Sequence, residues 1–387
     1  MKKNQLSRPL TRRDFIKAGI YGACAVCLAG NAGFPGKTGT AYAASPKKGF
    51  VNPRPSPWFI PLSNAGVQCT LCPMQCRIPR GGRGKCRVRE NRDGKAYTLA
   101  YGNPVLVQMD PVERKPFFHV MPGTRALSVS TAGCPLECRF CEVWDMALVS
   151  PEEVHAYDLP PEKIVAHAVS AGAGAISYAF GEPVVFFEYM TDIAVLAKKA
   201  GLLNLVHTSG YISPEPLQAI TGHLDAVNVD LKGFDSGFYK TMVGGDIEPV
   251  KNTLRALKRA GVHIEITNLV IPGANDAVAQ VSGMCEWIIE ELGPDTPVHF
   301  ARFYPLYKLT NLPPTPVATL DRIRDAAMSA GLRYVYVARV TGHKGENTFC
   351  PECGKMVIDR MGFVIEAIHM KNGRCGYCAA TVRGKWA

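Results

Sequence analysis

Ala126-Leu127-Ser128-Val129-Ser130-Thr131-Ala132-Gly133-Cys134-Pro135-Leu136-Glu137-Cys138-Arg139-Phe140-Cys141 is the stretch from which the chain is read. A β-like run, Ala126 to Ser130, feeds a loop with cysteines spaced C-x3-C-x2-C. Three thiolates on one short loop can hold three irons of a [4Fe-4S] cubane and leave the fourth without a protein ligand. An open iron is what a cluster needs if a small molecule is to bind it. A closed structural site takes four protein ligands. The alternative for this loop is zinc with a distant fourth ligand.

Downstream, β-like runs alternate with amphipathic helices. The runs are Ala175 to Phe180, Leu203 to His207, Ala226 to Leu231, His263 to Val270 and Val298 to Phe303, with Arg333 to Val340 a candidate for one more. Helical patterns separate them at 161–170, 186–200, 214–220, 250–260, 278–292 and 320–330. Gly172, Gly201, Gly261 and Gly331 stand where helices should stop. Repeated βα units of this length predict an α/β fold, a parallel (β/α) barrel of about six strands, partial or full. Function then belongs at the carboxyl ends of the strands. Gly181-Glu182-Pro183, Thr208-Ser209-Gly210 and Asp230-Leu231-Lys232 all fall there.

The cysteine spacing, the strand before it and Phe140 beside the last cysteine resemble the radical S-adenosylmethionine superfamily. The resemblance implies that the open iron chelates the amino and carboxylate groups of S-adenosylmethionine. One electron from the cluster would then break the C–S bond and give a 5′-deoxyadenosyl radical that abstracts hydrogen. It assigns Gly181 and Glu182 to the cofactor's amino group, and Thr208 and Ser209 to its other polar groups. Asp230 and Lys232 resemble the Asp-Leu-Lys element of glycyl-radical activating enzymes, with Lys232 pairing the cofactor carboxylate. His299 resembles the histidine near the methionyl moiety. Phe180 stands where many members have another glycine.

A closer resemblance spans residues 67 to 387. It rests on Cys69-x-Leu71-Cys72-Pro73, Gly84-Lys85-Cys86-Arg87-Val88-Arg89, Glu182-Pro183, Val229-Asp230-Leu231-Lys232, Leu269-Val270-Ile271-Pro272-Gly273 and Asn347-Thr348-Phe349-Cys350-Pro351. These follow the pattern of the AmmeMemoRadiSam-system radical enzymes, relatives of pyruvate formate-lyase activating enzyme. The resemblance implies a reductant such as ferredoxin or flavodoxin, and hydrogen abstraction from a glycine of a partner protein. Radical modification of a small molecule or RNA, and electron transfer without turnover, are the competing functions.

Fourteen cysteines include two further groups. Cys69, Cys72, Cys76 and Cys86 read C-x2-C-x3-C-x9-C, and four thiolates close either a zinc site or an auxiliary [4Fe-4S] cluster. Cys350, Cys353, Cys375 and Cys378 form two C-x2-C knuckles around a β-like segment, a zinc-ribbon pattern. Such a segment has little core of its own. Cys285, beside Trp287 and Ile288, reads as core.

Residues 1–43 resemble a twin-arginine export signal: Thr11-Arg12-Arg13-Asp14-Phe15-Ile16-Lys17, a weakly apolar segment, then Ala41-Tyr42-Ala43 before Ala44. Cys24 and Cys27 lie within it and receive no function. Export to the periplasm or beyond would follow cofactor assembly in the cytoplasm, with retention in the cytoplasm as the alternative. Six of the eleven net positive charges lie in this segment, on Lys2, Lys3, Arg8, Arg12, Arg13, Lys17 and Lys37 against Asp14. The rest of the chain is only mildly basic, which argues against a nucleic-acid partner. The predicted organisation is a signal at 1–43, a Pro-rich linker at 44–66, a four-cysteine extension at 67–125, the barrel at 126–340 and the zinc-ribbon-like module at 341–387.

Overall fold

The computed structural model describes residues 45–386, which lie in one compact unit. The predicted export signal lies outside the described residues. Among the described residues, no helix is long and apolar enough to cross a membrane.

One sheet of eight strands organises the chain: β1 (Leu106–Pro111), β2 (Arg125–Ser130), β3 (Ala175–Tyr178), β4 (Leu203–Thr208), β5 (Ala226–Asp230), β6 (His263–Val270), β7 (Val298–Arg302) and β8 (Val335–Ala338). Spatial order equals chain order. Strands β2 to β8 are parallel throughout. Each successive pair from β2 to β8 is bridged by one longer helix, in places with short helical turns before it: α1 (Pro161–Ser170), α2 (Phe187–Lys199), α3 (Pro214–Thr221), α4 (Ile247–Arg259), α5 (Val278–Leu292) and α6 (Val317–Ser329). Right-handed crossovers that all step the same way keep their helices on one face of a sheet. The six predicted strands are present, and Val335–Ala338 supplies a seventh parallel one. Among the described residues no ladder joins β1 to β8, so the sheet is an open arc.

Strand β1 was not anticipated. It pairs antiparallel with β2 along its whole length, Leu106 opposite Ser130 to Pro111 opposite Arg125. The segment after it turns under the sheet. Val112, Phe117 and Val120 pack against Ala126, Ala175, Leu205 and Ala226, near the amino ends of β2 to β5. That closes the bottom and leaves the carboxyl ends open. Gly172, Gly201, Gly261 and Gly331 follow their helices with φ between 67° and 113°, as helix stops require.

Residues 44–66 do not behave as the free linker expected of them. Lys47–Lys48 pairs with His155–Ala156, Arg54–Pro55 with Tyr97–Thr98, and Phe59–Pro61 with Val67–Cys69. Proline is tolerated on such edge strands because no ladder needs its missing N–H.

The C-terminal module is a meander of Thr348–Phe349, β9 (Met356–Met361) and β10 (Val364–Ile368). Its core is shared with the larger unit: Cys350, Val357, Cys375 and Val382 pack with Phe118, Tyr334 and Tyr336. Polar contacts reinforce the seam. Arg360 donates to the Phe118 carbonyl at 2.8 Å and to Thr348 Oγ1 at 2.7 Å. His119 lies between the Arg383 carbonyl (Nδ1, 2.5 Å) and the Tyr336 hydroxyl (Nε2, 2.6 Å).

Burial pushes His119 down to about 3, with His263 and Arg360 acting in the same direction and Glu265 opposing. The folded chain therefore keeps this imidazole neutral, while the unfolded chain protonates it below pH ~6.5. The unfolded state binds the extra proton, so stability falls as pH drops from ~6.5 toward 3. We expect His119→Asn to flatten the pH dependence of unfolding free energy between pH 6.5 and 4.5 by about 1.4 kcal/mol per pH unit, the value of one proton. Denaturant titrations across that range measure it, and parallel curves would remove His119 from the linkage.

Candidate active site

The cysteine loop leaves the carboxyl end of β2 and is held from outside. A π-helical turn, Tyr239–Val243, presents its carbonyls to it. Glu137 N–H donates to the Val243 carbonyl at 2.9 Å, and Arg139 N–H to that of Met242 at 2.9 Å. Cys141 N–H turns back onto the Cys138 carbonyl at 3.1 Å. Backbone bonds thus fix the loop without using the sulfurs. All three cysteines face one cavity of about 640 Å³ at the carboxyl ends of the strands, within the range of small-ligand sites. Burial, with the Glu182 carboxylate adding to it, pushes the Cys134 thiol well up, and Cys138 rises to about 11. These thiols stay protonated until a metal displaces the protons.

Glu182, Thr208 and Ser209 line the same cavity. They form one knot. Glu182 Oε1 accepts from Val184 N–H at 3.2 Å and Thr208 Oγ1 at 2.6 Å. Oε2 accepts from Ser209 N–H at 2.9 Å and from the Ser209 hydroxyl. A carboxylate has about four acceptor positions, and all are engaged. A ligand ammonium meeting Glu182 would take the place of a hydroxyl donor. Gly181 lies where a Cβ would approach Ser130 Oγ to 2.6 Å. Phe180 holds φ at +71°, the left-handed conformation a glycine would take there. A bulky residue in that region costs on the order of 1–3 kcal/mol. Its ring is 3.7 Å from Lys115 Nζ and 5.6 Å from the Arg114 guanidinium, cation–π contacts that offset the strain.

Asp230 bridges two bases at the end of β5, with Lys232 Nζ and His207 Nε2 each 2.8 Å away. Those neighbours hold its carboxyl well below the usual carboxylate range despite burial. Burial opposes the Lys232 charge, but Asp230 wins and raises the ammonium's pKa well above normal. Lys232 Nζ also lies 5.9 Å from the Phe140 ring centre. The cavity therefore has thiols on one side and both a carboxylate and an ammonium on the other. That donor set suits a zwitterion with an amino and a carboxylate group.

His299 is not brought to the cavity. It sits near the amino end of β7, fully buried, with Nε2 2.7 Å from Glu265 and its ring stacked on Tyr336. Ala301, two residues further along, is the part of β7 that lines the wall. His207 and Lys115 are among the lining residues that strand-end position does not mark. His207 is the residue before Thr208, and its alternation with Asp230 across paired strands was its only signal. Lys115 arrives from the segment under the sheet, where no strand-end pattern marks it. Its Nζ is 2.5 Å from Asp110, and burial brings it down to about 8.

The flanking sets differ in geometry. The sulfurs of Cys350, Cys353, Cys375 and Cys378 all lie within 4.8 Å of one another. Cys350 and Cys378 are 3.6 Å apart, and Cys353 and Cys375 are 3.8 Å apart. Cys69, Cys72, Cys76 and Cys86 line a separate small cavity. Cys285 is fully buried on α5, as core.

Residues 128–281 match the family model described as the Radical SAM superfamily. An uncharacterized protein of Methanocaldococcus jannaschii is 39% identical over 331 residues, 85% of this chain and 98% of that protein. A pyruvate formate-lyase-activating enzyme of Clostridium pasteurianum is 28% identical over 160 residues, 40% of this chain and 66% of that enzyme. The structure of Streptococcus suis SuiB bound to S-adenosylmethionine superposes with a TM-score of 0.45 at 13% identity, over 62% of this chain and 56% of that one.

Gly181→Ala should destabilise the chain by about 1–3 kcal/mol through overpacking against Ser130. Ser130→Gly in the same chain removes the nearest obstructing atom and should recover part of the loss. Thermal unfolding of both variants reads it, and a neutral Gly181→Ala would show that the turn has room to move.

Proposed function

Because the chain belongs to the radical S-adenosylmethionine superfamily, related to the pyruvate formate-lyase activating enzymes, we propose that it abstracts hydrogen from a glycine of a partner protein. The observation that carries this reading is the cavity that gathers the three-cysteine loop, Glu182 and Lys232. Cys134, Cys138 and Cys141 would hold a [4Fe-4S] cluster, which when bound would supply the electron for reductive cleavage of S-adenosylmethionine to a 5′-deoxyadenosyl radical. Glu182, steadied by Thr208 and Ser209, receives the ligand's ammonium. Lys232, kept charged by Asp230, receives its carboxylate, and Phe140 walls the site beside the last cysteine. Apolar side chains at the opening support a peptide as substrate: Tyr304 and Phe363 line it, and both are exposed. Relatives that include activating enzymes point the same way. A low-potential donor such as ferredoxin or flavodoxin would supply the electron.

The C-terminal quartet we assign to one zinc ion. A tetrahedral site with zinc–sulfur bonds of about 2.3 Å has sulfur–sulfur edges of about 3.8 Å, and the two closest pairs are at 3.6 and 3.8 Å. Residues 1–43 we read as a twin-arginine signal that exports the loaded enzyme.

Anaerobically reconstituted enzyme, reductant and S-adenosylmethionine should yield 5′-deoxyadenosine, and a chain with Cys134, Cys138 and Cys141 all changed to Ala should yield none. A partner carrying deuterated glycine should pass deuterium into the product. Unlabelled 5′-deoxyadenosine formed beside that partner would turn the reading toward a small molecule or RNA. For export, Arg12→Lys with Arg13→Lys should hold the protein in the cytoplasm. Unchanged processing of that variant would end the twin-arginine assignment.

A further inference from the structure

Cys69, Cys72, Cys76 and Cys86 play no part in the reaction proposed above, yet they are arranged as a metal site. The chain brings them together by tight turns. Cys69 ends a short strand, and its N–H donates to the Cys76 carbonyl at 2.9 Å. Gln75 and Arg87, both with left-handed φ, turn the chain just before Cys76 and just after Cys86. All four side chains line one small cavity whose other walls include Leu71, Val184 and Val185. Backbone N–H groups point at the sulfurs: Leu71 at Cys69, Met74 at Cys72, Lys85 at Cys76 (3.4 Å), and Val88 and Arg89 at Cys86. Burial outweighs these amides and raises the Cys69 thiol to about 11 and those of Cys72 and Cys86 as well, so the protons leave when a metal takes their place.

Two features separate this site from the C-terminal quartet. The C-terminal sulfurs crowd within 4.8 Å of one another, and among the described residues no other cysteine set is drawn that close. A single ion pulls four thiolates to tetrahedral edges, whereas an iron–sulfur cube stands between its ligands and keeps them further apart. The second feature is Arg89. It lines the same cavity and is 1% exposed. Its Nη1 bonds Glu188 at 2.6 Å, and Nη2 bonds Glu188 at 2.8 Å and the Val185 carbonyl at 3.0 Å. Its Nε is buried with no partner. A buried, unpaired guanidinium N–H costs about 1–3 kcal/mol unless something in the cavity accepts from it. A sulfur in the cavity, thiolate or sulfide, would accept from it, and the wider sulfur spacing then favours a cluster over a single ion.

We propose that Cys69, Cys72, Cys76 and Cys86 hold an auxiliary [4Fe-4S] cluster, and that Arg89 Nε–H donates to one of its sulfurs. The site is closed, with four protein ligands and no open iron. It lies directly behind the open-iron loop: Pro135 lines its cavity, while Cys134 and Leu136 line the larger one.

The test is a metal inventory of the full chain, reconstituted anaerobically with iron, sulfide and zinc together. The chain with Cys134, Cys138 and Cys141 changed to Ala should keep about four irons and four sulfides, with a reducible cluster signal by electron paramagnetic resonance. Adding Cys72→Ala and Cys86→Ala should remove that iron. Cys353→Ala with Cys378→Ala should lower zinc by about one equivalent and leave iron unchanged. The wild type should hold about eight irons and one zinc, and loss of that zinc alone from the Cys353→Ala, Cys378→Ala chain places the second cluster on the N-terminal set. About four irons and two zincs overturn it, and leave the radical reading standing. Arg89→Lys keeps a charge for Glu188 but removes the Nε donor, so the auxiliary cluster's reduction potential should fall. An unchanged potential and unchanged spectrum in a folded Arg89→Lys chain would exclude the Nε–sulfur contact.

Discussion

The buried carboxylate of Glu265, on β6, ties the molecule together. It accepts from the backbone N–H groups of Phe118 and His119 at 3.0 and 2.9 Å, and from His299 Nε2 at 2.7 Å, with His263 at 3.3 Å. A fully buried charge is costly unless its acceptor positions are filled, and these donors hold its carboxyl well below the usual range. The bond to residues 118 and 119 draws the segment after β1 beneath the sheet. From there Lys115 and Phe118 reach the cavity from one side, and His119 meets the C-terminal module from the other. Floor, cavity and module seam share this one anion. His299 is spoken for by the same group, which explains why a strand residue that looked ligand-facing serves as an internal donor.

Periodicity made the parallel strands legible, because they are apolar runs alternating with amphipathic helices, four of which end at Gly172, Gly201, Gly261 and Gly331. It could not reveal β1, whose pairing to β2 is antiparallel and whose Asp110 and Pro111 break the pattern. The edge strands within 44–66 are hidden for a related reason: proline-rich sequence reads as linker, and edge pairing leaves no mark on composition. Within the site, spacing sufficed for the cysteines and strand-end position for Glu182, Thr208, Ser209, Asp230 and Lys232. Position alone did not show that Glu182 is saturated by its neighbours, or that His207 completes the Asp230 cluster. Both are facts about side chains on different strands. Lys115 was out of reach altogether, since tertiary packing alone carries it to the cavity.

The three cysteine groups illustrate how similar ligands are differentiated by surroundings. One loop offers three sulfurs to an open cavity and is held by carbonyls of a neighbouring π-helical turn. The C-terminal quartet draws its sulfurs tightly together, on a seam with the main unit. The N-terminal set encloses an apolar pocket with a guanidinium at its wall. Thiol chemistry is common to all; spacing, enclosure and nearby charge distinguish them.

Gly133 joins two of these groups. A Cβ there would lie 2.7 Å from the Cys86 carbonyl and 2.8 Å from Val88, and its φ of +103° favours glycine in any case. The two cysteine segments therefore meet backbone to side chain with no room between them, one residue before Cys134. Such a contact makes the two cysteine segments mechanically one piece: a displacement of the Cys86 carbonyl or the Val88 side chain is passed directly to the backbone that carries Cys134.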